Sequence, residues 1–121
     1  MDRETWLRRI LDATRDLADE RYQERVWARG EGPEVDSSTE ALIRLMDDYD
    51  LAAFIAEAAD KAWISNEQLA ALQRLDAALA RYTAGGQRGD DAVRIASPEW
   101  RNTRKLARAT LETFATPATS A

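Results

Sequence analysis

Apolar residues recur along most of this chain at spacings of three and four, the period of a helix buried on one side. Over residues 3–18, Trp6, Leu7, Ile10, Leu11 and Leu17 fall on one side and Arg8, Arg9, Asp12, Arg15 and Asp16 on the other. A second helical stretch follows at about residues 20–29, carrying Tyr22, Val26 and Trp27. "RGEGPEVDSS", residues 29–38, reads as a loop by its Gly, Pro and Ser content. Ser37 then stands three residues before Glu40, the spacing of a capping box, and Leu42, Ile43, Leu45 and Met46 follow. That third helix should run to about Asp47. Another passes through Leu51, Ala52, Phe54, Ile55 and Ala58.

The clearest pattern opens on a second capping box, Ser65 with Gln68, and predicts a helix over residues 66–83. Leu69, Leu72, Leu75, Leu79 and Tyr82 mark its inner face. "AGGQRGDD", residues 84–91, breaks it, and the glycine run lacks the Gly-Lys-Ser/Thr ending of a phosphate loop. Ser97 as N-cap and Pro98 at the first helical position start a last helix, with Trp100, Ala107, Leu111 and Phe114 facing inward. "AVRI" is too short to count as a strand. The expectation is an all-α fold: a single compact bundle of five or six helices over residues 1–114, with a disordered tail at 115–121. Leu69, Leu72, Leu75, Leu79, Leu111 and Phe114 should be buried.

Composition narrows the chemistry. The chain has 121 residues, enough for one core without staples. It has no cysteine, so thiolate nucleophiles and thiolate metal sites are excluded, and no histidine, the commonest general base and transition-metal ligand. No apolar run approaches membrane-spanning length, and the charged start "MDRETW" is not a secretory signal, so the expected compartment is the cytoplasm. The net charge of −5 is unevenly spread. Residues 31–60 hold nine acids against Arg44 alone, whereas residues 61–121 carry nine bases against six acids. An acidic middle third disfavours nucleic acid as the direct partner and favours a cationic one.

The densest acidic stretch is "RLMDDYDL", residues 44–51, which sets Asp47, Asp48 and Asp50 around Tyr49. Asp48 or Asp50 is suited to cap the helix that follows, which accounts for one carboxylate but not three. Oxygen ligands suit Mg²⁺ or Ca²⁺, but the stretch is not an EF-hand loop. The only E-x-x-E pair, Glu31 with Glu34, contains Gly32 and Pro33 and so is not the helical pair of a Mg²⁺-dependent pyrophosphohydrolase. No metal and no cofactor are expected. Arg101, Arg104, Lys105 and Arg108 form a basic ridge on the last helix, read as pairing with the acidic segment or as solvated. Trp63 lies in a loop just after the acidic segment, and aromatics beside carboxylates have the composition of a docking surface. The candidate partner-binding residues are Asp47, Asp48, Tyr49, Asp50, Glu57, Asp60 and Trp63.

Four pieces of the chain also carry a resemblance: "LADERYQERVW" at residues 17–27, "MDD" at 46–48, "LQRLDAALARY" at 72–82, and "ASPEW" with "ARATL" within 96–111. Together they resemble a family of small uncharacterised actinobacterial proteins that share a D-x-x-Y-Q-x-x-V-W element, a central acidic pair and a closing S/D-P-x-W helix. None of these pieces is a catalytic motif. Some small acidic helical proteins of this look are immunity proteins encoded beside polymorphic toxins, and the resemblance implies that class. The chain departs from the family at residues 28–41, where "ARGEGPEVDSSTEA" replaces an aromatic-rich stretch. The expected function is therefore a non-enzymatic binding protein of the immunity or antitoxin kind that covers a cationic effector protein. The alternatives are a regulatory protein-interaction module and a Mg²⁺-dependent hydrolase. Nothing in the pattern assigns an oligomeric state.

Overall fold

Each helix begins where a short polar side chain meets free backbone amides. The computed structural model describes residues 2–85 and 89–115. Asp2 caps α1 (Arg3–Ala18), its carboxylate accepting from the Thr5 amide at 2.8 Å. Asp19 ends α1 and at once caps α2 (Glu20–Tyr22), so a single residue turns the corner. α2 runs on as a π-helical stretch, Gln23–Ala28. α3 (Ser38–Ile43), capped by Ser37, likewise continues as a π-helical stretch, Arg44–Asp48. α4 (Leu51–Lys61) follows, and then α5 (Asn66–Ala84), which opens with the full Ser65–Gln68 capping box. α6 (Asp91–Ala96) leads into α7 (Pro98–Ala115).

The fold is all-α, and no strand occurs among the described residues. "AVRI", too short for a strand, is part of α6, which Asp90 caps by accepting from the Val93 amide at 3.1 Å. The middle of the glycine-rich break (86–88) and residues 116–121 of the expected tail lie outside the described residues, while Ala115, placed in that tail by the sequence pattern, is the last residue of α7. No helix among the described residues is long and apolar enough to cross a membrane.

α7 lies between α1 and α5, and α4 packs on α5. Leu72, Leu75 and Leu79 of α5 are fully buried with Ile10, Leu17, Leu45, Leu51, Phe54 and Trp100. Leu69, Leu111 and Phe114 are only half-buried, contrary to expectation. α5 and α7 run antiparallel, with the Gln68 amide of α5 donating to the Thr113 carbonyl of α7. Leu69, Leu111 and Phe114 therefore share the end of this pair, where helical spacing continues but cover thins out.

One buried polar side chain ties the bundle together. Gln23 is fully buried, and its amide nitrogen donates to the Asp16 and Leu17 carbonyls, both at 2.8 Å. These belong to the last turn of α1, which has no helical partner for its carbonyls. The Gln23 oxygen accepts from Trp100 Nε1 at 2.9 Å and Arg104 Nη1 at 3.1 Å, both on α7. Arg104 is buried as well and reaches the Ile95 carbonyl, with Glu20 at 3.6 Å, while Arg108 Nε covers the Ala18 carbonyl. The supposed basic ridge is thus divided. Arg104 and Arg108 hold α7 to α1 and α2, and only Arg101 and Lys105 are left to solvent.

Two substitutions test this. Leu72→Ala removes a fully buried side chain and should cost about 2–5 kcal/mol in chemical denaturation; Leu69→Ala should cost clearly less. Gln23→Leu keeps the bulk but strands the Trp100 N–H and two α1 carbonyls, so it should cost about 3 kcal/mol or more. A Gln23→Leu protein as stable as wild type would show that these bonds contribute nothing net.

Candidate functional site

The acidic stretch forms a sharp corner between α3 and α4. The π turn closes with the Tyr49 amide donating to the Arg44 carbonyl at 2.9 Å. Asp50 then enters the left-handed region, with φ 46° and ψ 66°, where Asp is better tolerated than most residues. Its carboxylate accepts from the Ala53 amide at 3.2 Å, so Asp50 is the cap of α4. Trp6 Nε1 of α1 donates to the Tyr49 carbonyl at 2.6 Å and clamps the corner to the bundle. Tyr49 is half-buried against the core, whereas Asp47 and Asp48 are exposed with no ionic partner among the described residues.

The seven candidate residues separate into two groups. Asp47, Asp48, Tyr49 and Asp50 gather at the corner. Glu57, Asp60 and Trp63 lie toward the far end of α4, an 11-residue helix roughly 16 Å long. Glu57 is bound to Lys61 at 2.7 Å, while Asp60 is exposed. Trp63 folds half inward, packing on Trp6 at 6.2 Å and Phe54 at 5.8 Å between ring centroids. Arg3 at 5.9 Å and Lys61 at 5.4 Å lie over its ring. Trp63 thus carries two cations over its ring, one of them, Lys61, paired with Glu57. Glu57-x-x-Asp60 is a helical acidic pair outside the E-x-x-E pattern. Among the described residues, however, no three acidic side chains form a group able to hold a metal.

The residues most closely knit by polar bonds are ones the sequence did not mark. Asp36, in the loop before α3, has its side chain 4% exposed. One of its oxygens accepts from the Tyr22 hydroxyl at 2.8 Å, Trp27 Nε1 at 3.0 Å and Arg44 Nη2 at 3.0 Å. Arg44 also reaches Asp16 of α1 at 3.4 Å. Burial pulls the pKa of Asp36 upward, but the bonds from Arg44, Trp27 and Tyr22 outweigh it and leave the carboxyl below its ordinary value. Asp16 is shifted the other way, upward, chiefly by burial. Arg44, the one base of the acidic third, is therefore engaged inside the fold. The loop is tied at its outer end by Arg25, which grips Glu34 through two bonds of 2.9 and 2.7 Å and holds that carboxyl down at about 2.

A shallow depression of about 420 Å³ beside the corner is lined by Arg9, Asp12, Arg15, Asp16, Arg44 and Tyr49. Asp12 pairs with Arg15 and Asp16 with Arg44, so its charges largely cancel. It offers opposed ion pairs rather than a converging nucleophile and base.

The chain belongs to the family described as "Domain of unknown function (DUF7945)", whose model matches residues 1–120. No curated protein and no solved structure matches it.

The Asp36 cluster makes a pH-dependent prediction. A carboxyl held below its ordinary pKa in the fold stabilises it above that value, and the contribution is lost as pH falls through the acid range. Asp16, shifted upward, has the opposite sign: its ionised form costs stability, and protonation relieves that cost. Asp36→Asn should lower stability at pH 7 by about 1–3 kcal/mol, the cost of weakening buried polar bonds. It should also flatten the loss of stability below about pH 4, where a free Asp titrates. Urea denaturation at pH 7, 5 and 3 measures both effects. Parallel profiles for variant and wild type would show that Asp36 does not set the acid limb.

Proposed function

We propose that this protein is a small acidic binding protein of the immunity or antitoxin kind, working in the cytoplasm by covering a cationic effector protein. The observation that supports this reading best is the state of Asp47 and Asp48. Of the nine acids in residues 31–60, Glu31, Glu34, Asp36 and Glu57 are matched by Arg29, Arg25, Arg44 and Lys61, and Asp50 caps a helix. Glu40, Asp47, Asp48 and Asp60 are left exposed with no ionic partner among the described residues, and of these only Asp47 and Asp48 are adjacent, on a corner fixed by the Asp50 cap and the Trp6–Tyr49 bond. Two exposed carboxylates at successive positions of a corner tied to the bundle present a field to an approaching cation without a large ordering cost on binding. The resemblance to small acidic helical proteins, some of which are immunity proteins, points the same way.

The double variant Asp47→Asn, Asp48→Asn separates scaffold from function. Neither side chain makes a bond among the described residues that holds the fold, so the melting temperature should stay nearly unchanged. Association with a cationic protein should slow, and the difference should shrink as salt rises, because screening at 0.15 M limits exposed charges to a range of about 8 Å. Wild type and variant are used side by side to capture proteins from the native host at low salt, including the product of the adjoining gene. If the variant recovers every partner as well as wild type, the corner is a solvated turn and the reading fails.

A further inference from the structure

A depression of about 270 Å³ lies where α2 and its π extension meet α6 and α7. The elements that line it carry opposite charges. α7 contributes Arg101 and Arg104, one turn apart, and α2 with its π extension contributes Glu20 and Glu24. Arg29 also lines it but is bound to Glu31 at 2.5 Å. The rest of the lining is aliphatic: Ile95 is buried, Ala28 half-buried, and Ala92 and Ala96 are exposed. Arg104 is the fixed point of the site. The residue is only 7% exposed, and its Nη1 is engaged with Gln23 and the Ile95 carbonyl. Nε and Nη2 carry the other three of the five guanidinium N–H groups, and these make no hydrogen bond among the described residues. Glu20 is an ionic neighbour, but at 3.6 Å from Nη2 it lies beyond hydrogen-bond reach. Arg101 and Glu24 are exposed, and neither side chain has a bond or an ionic partner among the described residues.

A buried guanidinium with unmet donors beside a cavity gains from any group that supplies acceptors there. The lining decides which kind. A simple anion drawn to Arg101 and Arg104 would also meet Glu20 and Glu24, and a simple cation would meet the reverse. A small molecule that carries both charges on one carbon satisfies both pairs. The 3.6 Å between Glu20 and Arg104 brings the opposite charges close enough for such a molecule to touch both. The volume suits a small metabolite, since drug-sized ligands fill roughly 300–1,000 Å³. The aliphatic lining calls for an aliphatic side chain. We propose that this depression binds a free aliphatic α-amino acid. Its carboxylate meets Arg101 and Arg104, its ammonium meets Glu20 and Glu24, and its side chain lies against Ile95 and Ala28. Neither Asp47 nor Asp48 lines the depression, so the site is separate from the charged corner and does not depend on the cationic-partner reading.

Full-length protein is titrated with L-leucine and L-valine, and with two analogues of leucine. Leucinamide lacks the carboxylate, and 4-methylpentanoate lacks the ammonium. Calorimetry reads the affinity, and NMR of methyl-labelled protein reads the Ile95 signals. Leucine or valine should saturate the protein at about millimolar concentration and shift the Ile95 methyls. Each analogue should bind about tenfold more weakly than leucine, the effect of losing one charge-assisted hydrogen bond. Arg101→Gln and Glu24→Gln should each weaken amino-acid binding to a similar degree with the melting temperature unchanged, because neither side chain is bonded within the described fold. Arg104 is left intact because it joins α7 to Gln23. No saturation by either amino acid up to about ten times the millimolar range would overturn the proposal. An analogue that binds as tightly as leucine would also overturn it, because the site would then read one charge alone. So would binding that leaves the Ile95 methyls unmoved. If the two variants instead lost melting temperature and bound the amino acids as wild type does, the charges would be packing pairs and the proposal would fall.

Discussion

Everything in this bundle is placed by one amide. Gln23 has two donor hydrogens and one acceptor oxygen, and all of them are engaged with no access to water. Inside a core an unmet amide costs far more than a met one returns, so the group tolerates essentially one arrangement of its neighbours. Those neighbours are the frayed end of α1 and the first turns of α7. Satisfying them fixes the direction in which α2 leaves Asp19 and the depth at which Trp100 inserts. With Trp100 in place, Trp27 meets it edge-on at 5.7 Å and Tyr82 at 5.0 Å, which ties α2 and α5 to the same point.

The two π-helical stretches have a local purpose that follows from their wider turn. In an α-helix, residues five apart diverge by roughly 140° around the axis. A π turn pairs residues five apart and brings them closer into line. Tyr22 and Trp27 span such a turn, and both direct a donor at the same oxygen of Asp36. Arg44, the first residue of the second π stretch, completes the set from the opposite side. The loop at residues 29–37 is thereby drawn onto the bundle by its one buried carboxylate. The start of α3 inherits that position.

Periodicity made the core of α5 legible because Leu72, Leu75 and Leu79 repeat well away from the helix ends. It overstated Leu69, Leu111 and Phe114, because spacing reports the face of a helix and not how far its cover extends. Caps were legible wherever a short polar residue preceded an apolar run, as at Ser37, Ser65 and Ser97. Asp50 was one of two options, and geometry chose it because the chain had to pass through a left-handed residue there. What was not legible came from pairings across long stretches of chain. Asp36 read as one more acid in a solvated segment, and Arg104 as part of a basic ridge, because residue type carries no record of a partner far away in the chain. α6 was missed for a different reason: six residues offer too few repeats for a period, and only the Asp90 cap betrays it.

The same distinction governs what the motifs behind the resemblance can say about function. In D-x-x-Y-Q-x-x-V-W, Asp19 caps α2, Tyr22 and Trp27 hold Asp36, Gln23 joins three helices, and Val26 is buried. In S-P-x-W, Ser97 accepts from the Trp100 amide and Trp100 donates to Gln23, so the two motifs meet in one hydrogen bond. Each named residue of both motifs except Pro98 has its polar or apolar part engaged within the fold. A chain carrying them is specified to fold this way, and nothing in them reaches outward to a partner. The third shared element, the central acidic pair Asp47–Asp48, is the exposed one, and on the proposed reading recognition falls to it and to residues outside these two motifs. Val35, Glu40, Ile43, Asp47 and Asp48 are exposed within residues 35–48, and the first two of them lie in the segment 28–41 where the chain departs from the pattern of the resemblance. A scaffold held so tightly from within can vary that surface at little cost to its core, which is the division of labour expected of a binding protein.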